Sequence, residues 1–503
     1  EFFGTLIENG WLGSKSKQGF YKKEGKEIST FDPYTGQYRA KEKVRFDSVK
    51  KTKGIDDPGL RIKTLINGDD EAARFAWDAL ANTLIYAAEH MDDVAFDLVQ
   101  VDNAMKWGFA QELGPFETWD AIGVSDSVAR MKDDGLSVPE WVEKMLARGR
   151  KSFYEGDPGQ RSFWHHDRQV GAPEVISPRT LRLPSSIEAP SLVEKNHGAR
   201  LWDIGDGVLC VEFRTKMNAV DADISAMLRT AVARAESDFD AVILGNHDVR
   251  AFSAGANLMM IMMGIQQKAW DDVRASIADF QNSVLGLRHS RVPVVAAPFG
   301  LTLGGGTEMC LGADAIQAHA ELYMGLVEVG VGLIPGGGGC FGLLHNIQAN
   351  GPEVDPIHAL QKAFMAIGMA QVATSAEEAR AAGFLKSDDR ITMDRDALLH
   401  AAKNRAIGMA KSDYQAPRPR TLRVSGTTGY ATLYSALWGM MQAHQISAHD
   451  MRIGSALAKV LTGGDVPHGS EITEQRLPRT RAGKLSSSSY CGEPENLLER
   501  IQH

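Results

Sequence analysis

Three glycine-bearing turns, each following an apolar run, constrain the fold of this chain more than any other feature. They are Arg250–Asn257 (RAFSAGAN), Leu303–Asp314 (LGGGTEMCLGAD) and Gly325–Gly339 (GLVEVGVGLIPGGGG). Glycine lets backbone amides approach a ligand without an intervening Cβ, and a helix that begins at such a turn adds the positive end of its dipole. Two amides aimed at one point would form an oxyanion hole. The sequence therefore predicts an amide-lined ligand site between residues 250 and 340.

Short β-branched segments alternate with helical segments around these turns. Strands are predicted at Gly207–Phe213, Ala241–Asn246 and Val292–Gly300, and helices at Asp223–Glu236 and Ala269–Leu287. Strands that alternate with helices are joined by crossover connections in an α/β domain. The sequence therefore predicts an α/β domain that contains the glycine-bearing turns.

The rest of the chain divides by its periodicity. A helix is predicted after an N-cap at Asp69 or Asp70, and a second helix near Val138–Arg150. The apolar face of the first of these helices is predicted to consist of Ala76, Leu80, Leu84, Ala87 and Met91. The length allows about three domains. We interpret the segments as a helical domain (1–150), a proline-punctuated linker without regular elements (151–198), the α/β domain (199–390) and a helical extension (391–503) that includes an exposed basic loop (476–490).

Composition and charge argue against several classes of protein. Hydrophobic residues make up 43% and charged residues 24%, which is typical of globular proteins, and the longest uncharged stretches are too interrupted for a membrane span. The net charge of -9 disfavours nucleic acid as a partner. Four widely spaced cysteines form no C-x-x-C pair, which argues against a disulfide framework and a zinc site. His165 and His166 lack further ligands at a defined spacing, so we interpret them as surface histidines and expect no metal.

Motif spacing tests three other interpretations of the glycine clusters. The run Gly336–Gly339 is followed by Cys340, so the Lys and Ser/Thr of a P-loop are missing. Gly330 and Gly332 have Pro335 at the sixth position, where a dinucleotide fingerprint has glycine. The segment Ala251–Gly255 resembles a nucleophile elbow with Ala at its first position, which leaves a serine hydrolase as a minor alternative.

Two glutamates lie beside the amide-presenting turns. Glu308 follows Gly304–Gly306 in the predicted first turn of a helix, where an acid that compensates the helix dipole is the simpler interpretation. Glu328 lies between Val327 and Val329, and an acid within an apolar run costs desolvation energy unless it is paired or functional. Two such acids near two turns of this kind indicate a reactive site.

These motifs resemble a known family. FSAGAN, LTLGGGTEMCLGAD and MGLVEVGVGLIPGGGG resemble, in order and spacing, the motifs of the crotonase (enoyl-CoA hydratase) superfamily over roughly residues 199–390. Upstream, KSKQGFYKK and DNAMKWGFAQELGPFETWDAIG resemble the helical C-terminal part of 3-hydroxyacyl-CoA dehydrogenases, as in bacterial bifunctional β-oxidation proteins. The segment SGTTGYATLYSALWGM is similar to the extension of that arrangement. The implied fold is a crotonase-type ββα superhelix (α/β) with an all-α N-terminal domain and a helical C-terminal extension.

The resemblance also implies roles for individual residues. The amides of Ala256 and Gly305 would form the oxyanion hole, and Glu308 and Glu328 would be the catalytic carboxylates. Substrate contacts are expected from Lys216, Arg250, Ala254 and Met259. Two departures leave the coenzyme A contacts open: Asn257 stands where many members have Asp, and the segment His247–Arg250 replaces a common lysine-bearing approach.

The implied reaction is the hydration of trans-2-enoyl-CoA to 3-hydroxyacyl-CoA in fatty-acid β-oxidation, by the hydratase part of a bifunctional hydratase/dehydrogenase. The NAD-binding domain of that arrangement would precede Glu1, so we expect no cofactor and no dehydrogenase activity in this chain. Expected partners are an acyl-CoA substrate and further copies of the chain or a β-oxidation complex, in the cytoplasm. An enoyl-CoA isomerase and a non-catalytic assembly fragment remain as alternatives.

Overall fold

The computed structural model describes residues 2–474 except 26, 43, 56, 110, 157–160, 185–188, 190 and 351–355. The chain forms two compact units, Glu1–Val175 and Ile176–His503. The predicted loop at 476–490 lies outside the described residues. Among the helices of the described part, none combines the length and the apolar character that crossing a membrane requires.

The first unit is mainly helical, as predicted, and two small antiparallel sheets accompany its helices. The helices are α1 (Phe2–Glu8), α2 (Asp47–Lys51), α3 (Pro58–Ile66), α4 (Glu71–Glu89), α5 (Met91–Val94), α6 (Leu98–Phe109), α7 (Pro115–Ile122), α8 (Val124–Asp133) and α9 (Glu140–Ala147). The two sheets consist of β1 (Tyr21–Glu24), β2 (Glu27–Asp32) and β3 (Gln37–Ala40), and of β4 (Tyr154–Glu155), β5 (Ser162–His165) and β6 (Val170–Pro173).

Helix α4 begins where the sequence predicts it, but its buried face is displaced around the helix. Asp70 is the N-cap, and its side chain accepts a hydrogen bond from the Ala73 amide. Leu84 and Met91 of the predicted face are buried, whereas Ala76 and Leu80 are only partly buried. The displacement occurs because the large Trp77 side chain enters the core. The buried positions of the helix are Ala73, Trp77, Ala81, Leu84, Ile85 and Ala88.

The segment interpreted as a linker contains regular elements, which corrects that interpretation. Strands β4 to β6 lie within residues 151–198, and Phe163 and Trp164 of β5 are part of the hydrophobic core of the first unit. Asp120 of α7 holds the start of this segment because its two carboxylate oxygens accept hydrogen bonds from the amides of Phe153 and Tyr154 at 2.7 and 2.8 Å. Prolines suggested an irregular chain, but short antiparallel strands tolerate them at their ends.

A second carboxylate, that of Asp102 in α6, is fully buried. It accepts hydrogen bonds from the amides of Phe116 and Glu117 at the start of α7, and from the Tyr154 hydroxyl at 2.7 Å. Burial raises the pKa of Asp102 to about 7, and the negative charge of Glu117 acts in the same direction. Burial likewise raises the pKa of Asp120 to about 7. The stability of the packing around α7 therefore depends on the protonation of these two carboxyl groups, and so on pH.

We expect the free energy of unfolding of the first unit to fall as the pH rises from about 4 to about 7. An unfolded Asp titrates near pH 4, so between about 4 and 7 the folded state binds protons that the unfolded state does not. The stabilisation is complete below about pH 4 and is lost as the pH rises through the folded pKa, by up to about 1.4 kcal/mol per pH unit and group. Hydrogen exchange of the α7 amides measures this free energy. The Asp102→Asn variant should show a smaller slope, and the exposed Asp78→Asn control should keep the wild-type slope.

The second unit carries the predicted alternation of strands and helices. Its strands are β7 (Leu192–Lys195), β8 (Ala199–Asp203), β9 (Val208–Phe213), β10 (Ala241–Leu244), β11 (Ala251–Ser253), β12 (Val294–Ala296), β13 (Gly300–Leu303), β14 (Ala315–His319), β15 (Leu322–Gly325), β16 (Arg390–Thr392), β17 (Thr421–Val424) and β18 (Ser470–Thr473). Its helices are α10 (Ala222–Asp238), α11 (Leu258–Gln266), α12 (Trp270–Arg288), α13 (Gly305–Gly312), α14 (Gly339–Asn350), α15 (Pro356–Gly368), α16 (Ala376–Ala382), α17 (Leu398–Ala410), α18 (Gly426–Gln442) and α19 (Ala448–Leu461).

Two sheets position the site in this unit. The larger has the order β16-β14-β12-β10-β9-β8-β7, with parallel pairing from β16 to β9 and antiparallel pairing at β8 and β7. The smaller is the parallel sheet β11-β13-β15. All three glycine-bearing turns follow strands of the smaller sheet. Because ends of parallel strands meet at one edge, this sheet gathers the turns together.

Candidate functional site

Ala256 lies just after strand β11, and its backbone N–H points away from Val220, the residue that it faces in a parallel bridge. Val220 donates a hydrogen bond to the Gly255 carbonyl at 2.7 Å and accepts one from the Asn257 amide at 3.0 Å. In this parallel bridge the flanking groups of residues 255 and 257 face Val220, so the N–H of Ala256 points to the other side. Ala256 is exposed, which leaves its amide accessible to a ligand.

The amide of Gly305 opens helix α13, directly after β13. The first hydrogen bond of the helix runs from the Glu308 amide to the Gly304 carbonyl, so the N–H of Gly305 precedes the intrahelical ladder. Gly304 has a φ of 50°, a left-handed conformation that glycine adopts readily. The positive end of the α13 dipole adds to the donor strength of this amide.

The two amide-bearing turns are in contact, and this contact requires glycine. A Cβ atom on Gly255 would lie 2.9 Å from the Leu303 carbonyl oxygen and 3.4 Å from the Gly305 nitrogen. Gly255 also has a φ of 93°. Both features explain why residue 255 is a glycine, and the contact between the turns supports the prediction that the two amides act on one ligand.

Glu308 is buried in α13, with 3% of its surface exposed. Its Oε1 atom accepts hydrogen bonds from the amides of Gly337 at 2.7 Å and Gly339 at 2.8 Å. The carboxylate is therefore engaged with the third glycine-bearing turn, and the simpler interpretation of Glu308 as a dipole-compensating acid does not account for its contacts. Two amide donors stabilise negative charge on this oxygen and fix the orientation of the side chain.

Glu328 approaches Gly304, the residue before Gly305, from the segment after β15. It begins a short 3-10 turn, Glu328–Val331, and is half-buried. A Cβ atom on Gly304 would lie 3.1 Å from Glu328 Oε1, so the carboxyl group rests against the residue that precedes the Gly305 amide. The structure thus brings each predicted carboxylate to a glycine-bearing turn, Glu308 to residues 337–339 and Glu328 to Gly304.

Phe280 of α12 is a site residue that the sequence analysis missed. A Cβ atom on Gly305 would meet its ring at 3.4 Å, and a Cβ on Gly337 would lie 2.2 Å from Cε1. The ring therefore packs between the start of α13 and the turn that holds Glu308, where it excludes water from one side of the site. Phe280 gave no signal in the sequence because it is one of many apolar residues on an amphipathic helix.

We expect Gly337→Ala to lower kcat about 10–100-fold, because a misplacement of a catalytic group by about 1 Å has effects of this size. The added methyl group would lie 2.8 Å from Glu308 Oε2 and would collide with Phe280. Gly336→Ala is the matched control, since its methyl group would make only an ordinary contact with Ile277 at 3.5 Å. Steady-state kinetics measures kcat of both variants. Equal rates for the two would contradict the role assigned to the Gly337 amide.

The predicted substrate contacts are only partly brought together. The exposed Lys216 begins a 3-10 turn beside the site, because the Ala254 amide donates to the carbonyl of the following Met217 at 3.0 Å. Met259, in the first turn of α11, is 63% exposed. Arg250 precedes β11, at the opposite end of this strand from Ala256. A contact of Arg250 with coenzyme A therefore stays a prediction.

Ser253 does not have the surroundings of a nucleophile. Its side chain is fully buried, its hydroxyl donates to the Asn218 carbonyl at 2.7 Å and accepts from the Gly255 amide at 3.3 Å. The hydroxyl thus fastens the glycine-bearing turn to the neighbouring chain. This arrangement argues against the serine hydrolase alternative, because a nucleophilic serine needs an exposed hydroxyl that is hydrogen-bonded to a base.

Part of the α/β unit is similar to a known protein family. Residues 203–353 match the family model described as Enoyl-CoA hydratase/isomerase. This matched region contains both glutamates and all three turns, and its α/β fold is of the crotonase type. The chain is 41% identical over its full length to a Bacillus subtilis protein named "Probable 3-hydroxyacyl-CoA dehydrogenase", of which it covers 63%.

Further relatives share parts of the chain. A Rickettsia felis protein named "Putative fatty acid oxidation complex trifunctional enzyme" is 27% identical over 66% of this chain and 42% of its own length. The mouse protein "Methylglutaconyl-CoA hydratase, mitochondrial" is 32% identical over 24% of this chain and 38% of its own. The chain therefore spans 63% or less of the length of each of these relatives.

Proposed function

We propose that this chain hydrates trans-2-enoyl-CoA thioesters to 3-hydroxyacyl-CoA. The observation that supports this most strongly is that one glutamate, Glu308, is buried and held by two backbone amides, while a second, Glu328, lies against Gly304 before the Gly305 amide. One relative is named after methylglutaconyl-CoA hydration and another after fatty-acid oxidation, which supports hydration of an enoyl-CoA in β-oxidation. The thioester is the substrate, and the hydration itself requires no redox cofactor.

The electronic demand of hydration explains the two amides. When water adds at C3 of the conjugated thioester, electrons move through C2 towards the carbonyl oxygen, which gains negative charge. The N–H groups of Ala256 and Gly305 would donate to this oxygen, and each such donor typically contributes about 2.7–4 kcal/mol to the stabilisation of the transition state. The dipole of α13 acts on the same charge.

The two glutamates divide the proton transfers. Glu308, whose Oε1 is stabilised as an anion by Gly337 and Gly339, would take a proton from the attacking water. Glu328 would deliver a proton to C2, so one water is added in total and both carboxylates return to their starting states after proton exchange with solvent. The same two groups with exchanged roles would give the same product.

The test is an assay of crotonyl-CoA with the full chain, in which hydration removes the ultraviolet absorbance of the conjugated thioester. We expect turnover that releases 3-hydroxybutyryl-CoA. An isomerase would instead convert a 3-enoyl-CoA to the conjugated 2-enoyl-CoA without consuming crotonyl-CoA. The absence of both activities in the folded protein would favour the assembly fragment and refute the proposal.

The first unit would have a non-catalytic role in this chain. Its resemblance to the C-terminal part of 3-hydroxyacyl-CoA dehydrogenases agrees with the name of the Bacillus subtilis relative. In a longer protein it would complete the dehydrogenase, and in assemblies of this chain or of a β-oxidation complex it would supply contact surface. We expect no NADH formation from 3-hydroxybutyryl-CoA and NAD with this chain, and NADH formation would contradict the assignment.

A further inference from the structure

A cluster of metal-ligating side chains lies in the first unit, at the tip of the hairpin formed by β5 and β6. The donor atoms of His165, His166 and Asp167 all lie within 4.8 Å of one another. Asp92 of α5 joins them, because its Oδ1 is 2.5 Å from His166 Nε2. The cluster therefore combines two imidazoles and two carboxylates from two segments that are far apart in the sequence.

His166 is the member whose geometry indicates a missing partner. The side chain is only 7% exposed, although the sequence analysis placed it on the surface. Its Nε2 faces Asp92 at 2.5 Å and Asp167 Oδ1 at 3.2 Å, yet among the described residues it makes no hydrogen bond with acceptable geometry. A buried ring nitrogen that lies within ion-pair distance of two carboxylates but makes no hydrogen bond is a candidate position for a further ligand.

Nε2 of His166 and the carboxylate oxygens of Asp92 and Asp167 are ligand types that one divalent ion can hold together. The exposed Asp92 side chain would move back from its present 2.5 Å contact to admit the ion. The Trp141 ring packs edge-on against His166 at a centroid distance of 5.8 Å and restrains the imidazole. The side chains of Asp92 and Asp167 are 68% and 75% exposed, so solvent can deliver an ion.

We propose that His165, His166, Asp92 and Asp167 form a binding site for a divalent transition-metal ion, with Zn²⁺ as the reference ion. Imidazole and carboxylate donors suit Zn²⁺ and its neighbours, whereas Ca²⁺ and Mg²⁺ prefer oxygen donors alone. His165 Nδ1 accepts a long hydrogen bond of 3.4 Å from the Arg168 amide, which is weak enough for a metal ion to displace. The site would fasten the hairpin to α5 and stabilise the first unit by ligand binding.

The test is calorimetric titration of the metal-free full chain with ZnCl₂. We expect one site, and at least a roughly 10-fold loss of affinity in Asp92→Asn, the loss that even outer ligands of metal sites cause. Asp93→Asn is the matched control, because this neighbouring exposed Asp pairs with His90 instead. It should bind Zn²⁺ as the wild type does. Asp92 is exposed, so its replacement leaves the fold intact.

Two further measurements identify the ligands. Co²⁺ bound at this site should give visible bands without the intense sulfur charge-transfer absorption of a cysteine site, and His165→Ala should weaken the bands. Hydrogen exchange of residues 162–173 should slow on addition of Zn²⁺ in the wild type and not in Asp92→Asn. Absence of a Zn²⁺ site, equal affinity in Asp92→Asn and the wild type, or sulfur charge-transfer bands would each overturn the proposal.

Discussion

Replacement of Glu328 or Glu308 by Gln is expected to lower kcat of the proposed hydration by roughly 10²–10⁴-fold, the contribution of one general acid or base. Gln keeps the size of each side chain and removes its capacity to exchange a proton. In Glu308→Gln the amide oxygen still accepts from Gly337 and Gly339, so the turn stays in place and the loss is chemical. Steady-state kinetics with crotonyl-CoA gives kcat and KM, and KM should change much less than kcat.

The exposed Glu321, which lies between the two catalytic candidates in the sequence, provides the matched control. Glu321→Gln makes the same chemical change outside the site and should retain wild-type kinetics. Near-full turnover in either site variant, with chemistry rate-limiting, would refute the two-carboxylate mechanism. Loss in Glu328→Gln alone would instead indicate a one-carboxylate reaction such as double-bond isomerisation.

Gly305→Pro is expected to lower kcat roughly 10²–10³-fold, since it removes one oxyanion donor. Gly305 is the first residue of α13, and proline is well tolerated at the first position of a helix because the N–H there has no intrahelical acceptor. The variant therefore deletes the donor and leaves the helix in place. Kinetics with crotonyl-CoA and a circular dichroism spectrum measure the two properties separately.

Gly305→Ala is the matched control for this substitution. Its methyl group would make an ordinary contact with the Phe280 ring at 3.4 Å, and the backbone N–H is retained. We expect Gly305→Ala to keep most of the activity. Wild-type rates in a folded Gly305→Pro variant would show that this amide does not contact the thioester oxygen.

The order of elements in the second unit could be read from local sequence. The strand predicted at Gly207–Phe213 is β9 (Val208–Phe213), and the helix predicted at Ala269–Leu287 is α12 (Trp270–Arg288). Apolar periodicity reports such elements directly because it depends on neighbours a few residues apart. The crotonase-type fold of this region is confirmed by the match of residues 203–353 to the family.

Contacts between distant segments could not be read in this way. The sequence showed the run Gly336–Gly339 but gave no reason to join it to Glu308, and it did not single out Phe280. The sequence also placed the end of the first domain too early, at residue 150. The prolines of residues 151–198 concealed strands whose residues belong to the core of the first unit. Each of these features depends on which surfaces are packed together, and a one-dimensional pattern does not specify that.

The sequence by itself determined the alternation of strands and helices, the glycines at the turns and the two carboxylates near them. Each of these follows from the local conformational and solvation preferences of single residues. Only the tertiary structure decided that the amides of Gly337 and Gly339 hold Glu308, and that Asp92 meets His166. These contacts join residues far apart in the chain, and they form because packing of the hydrophobic cores brings their segments together.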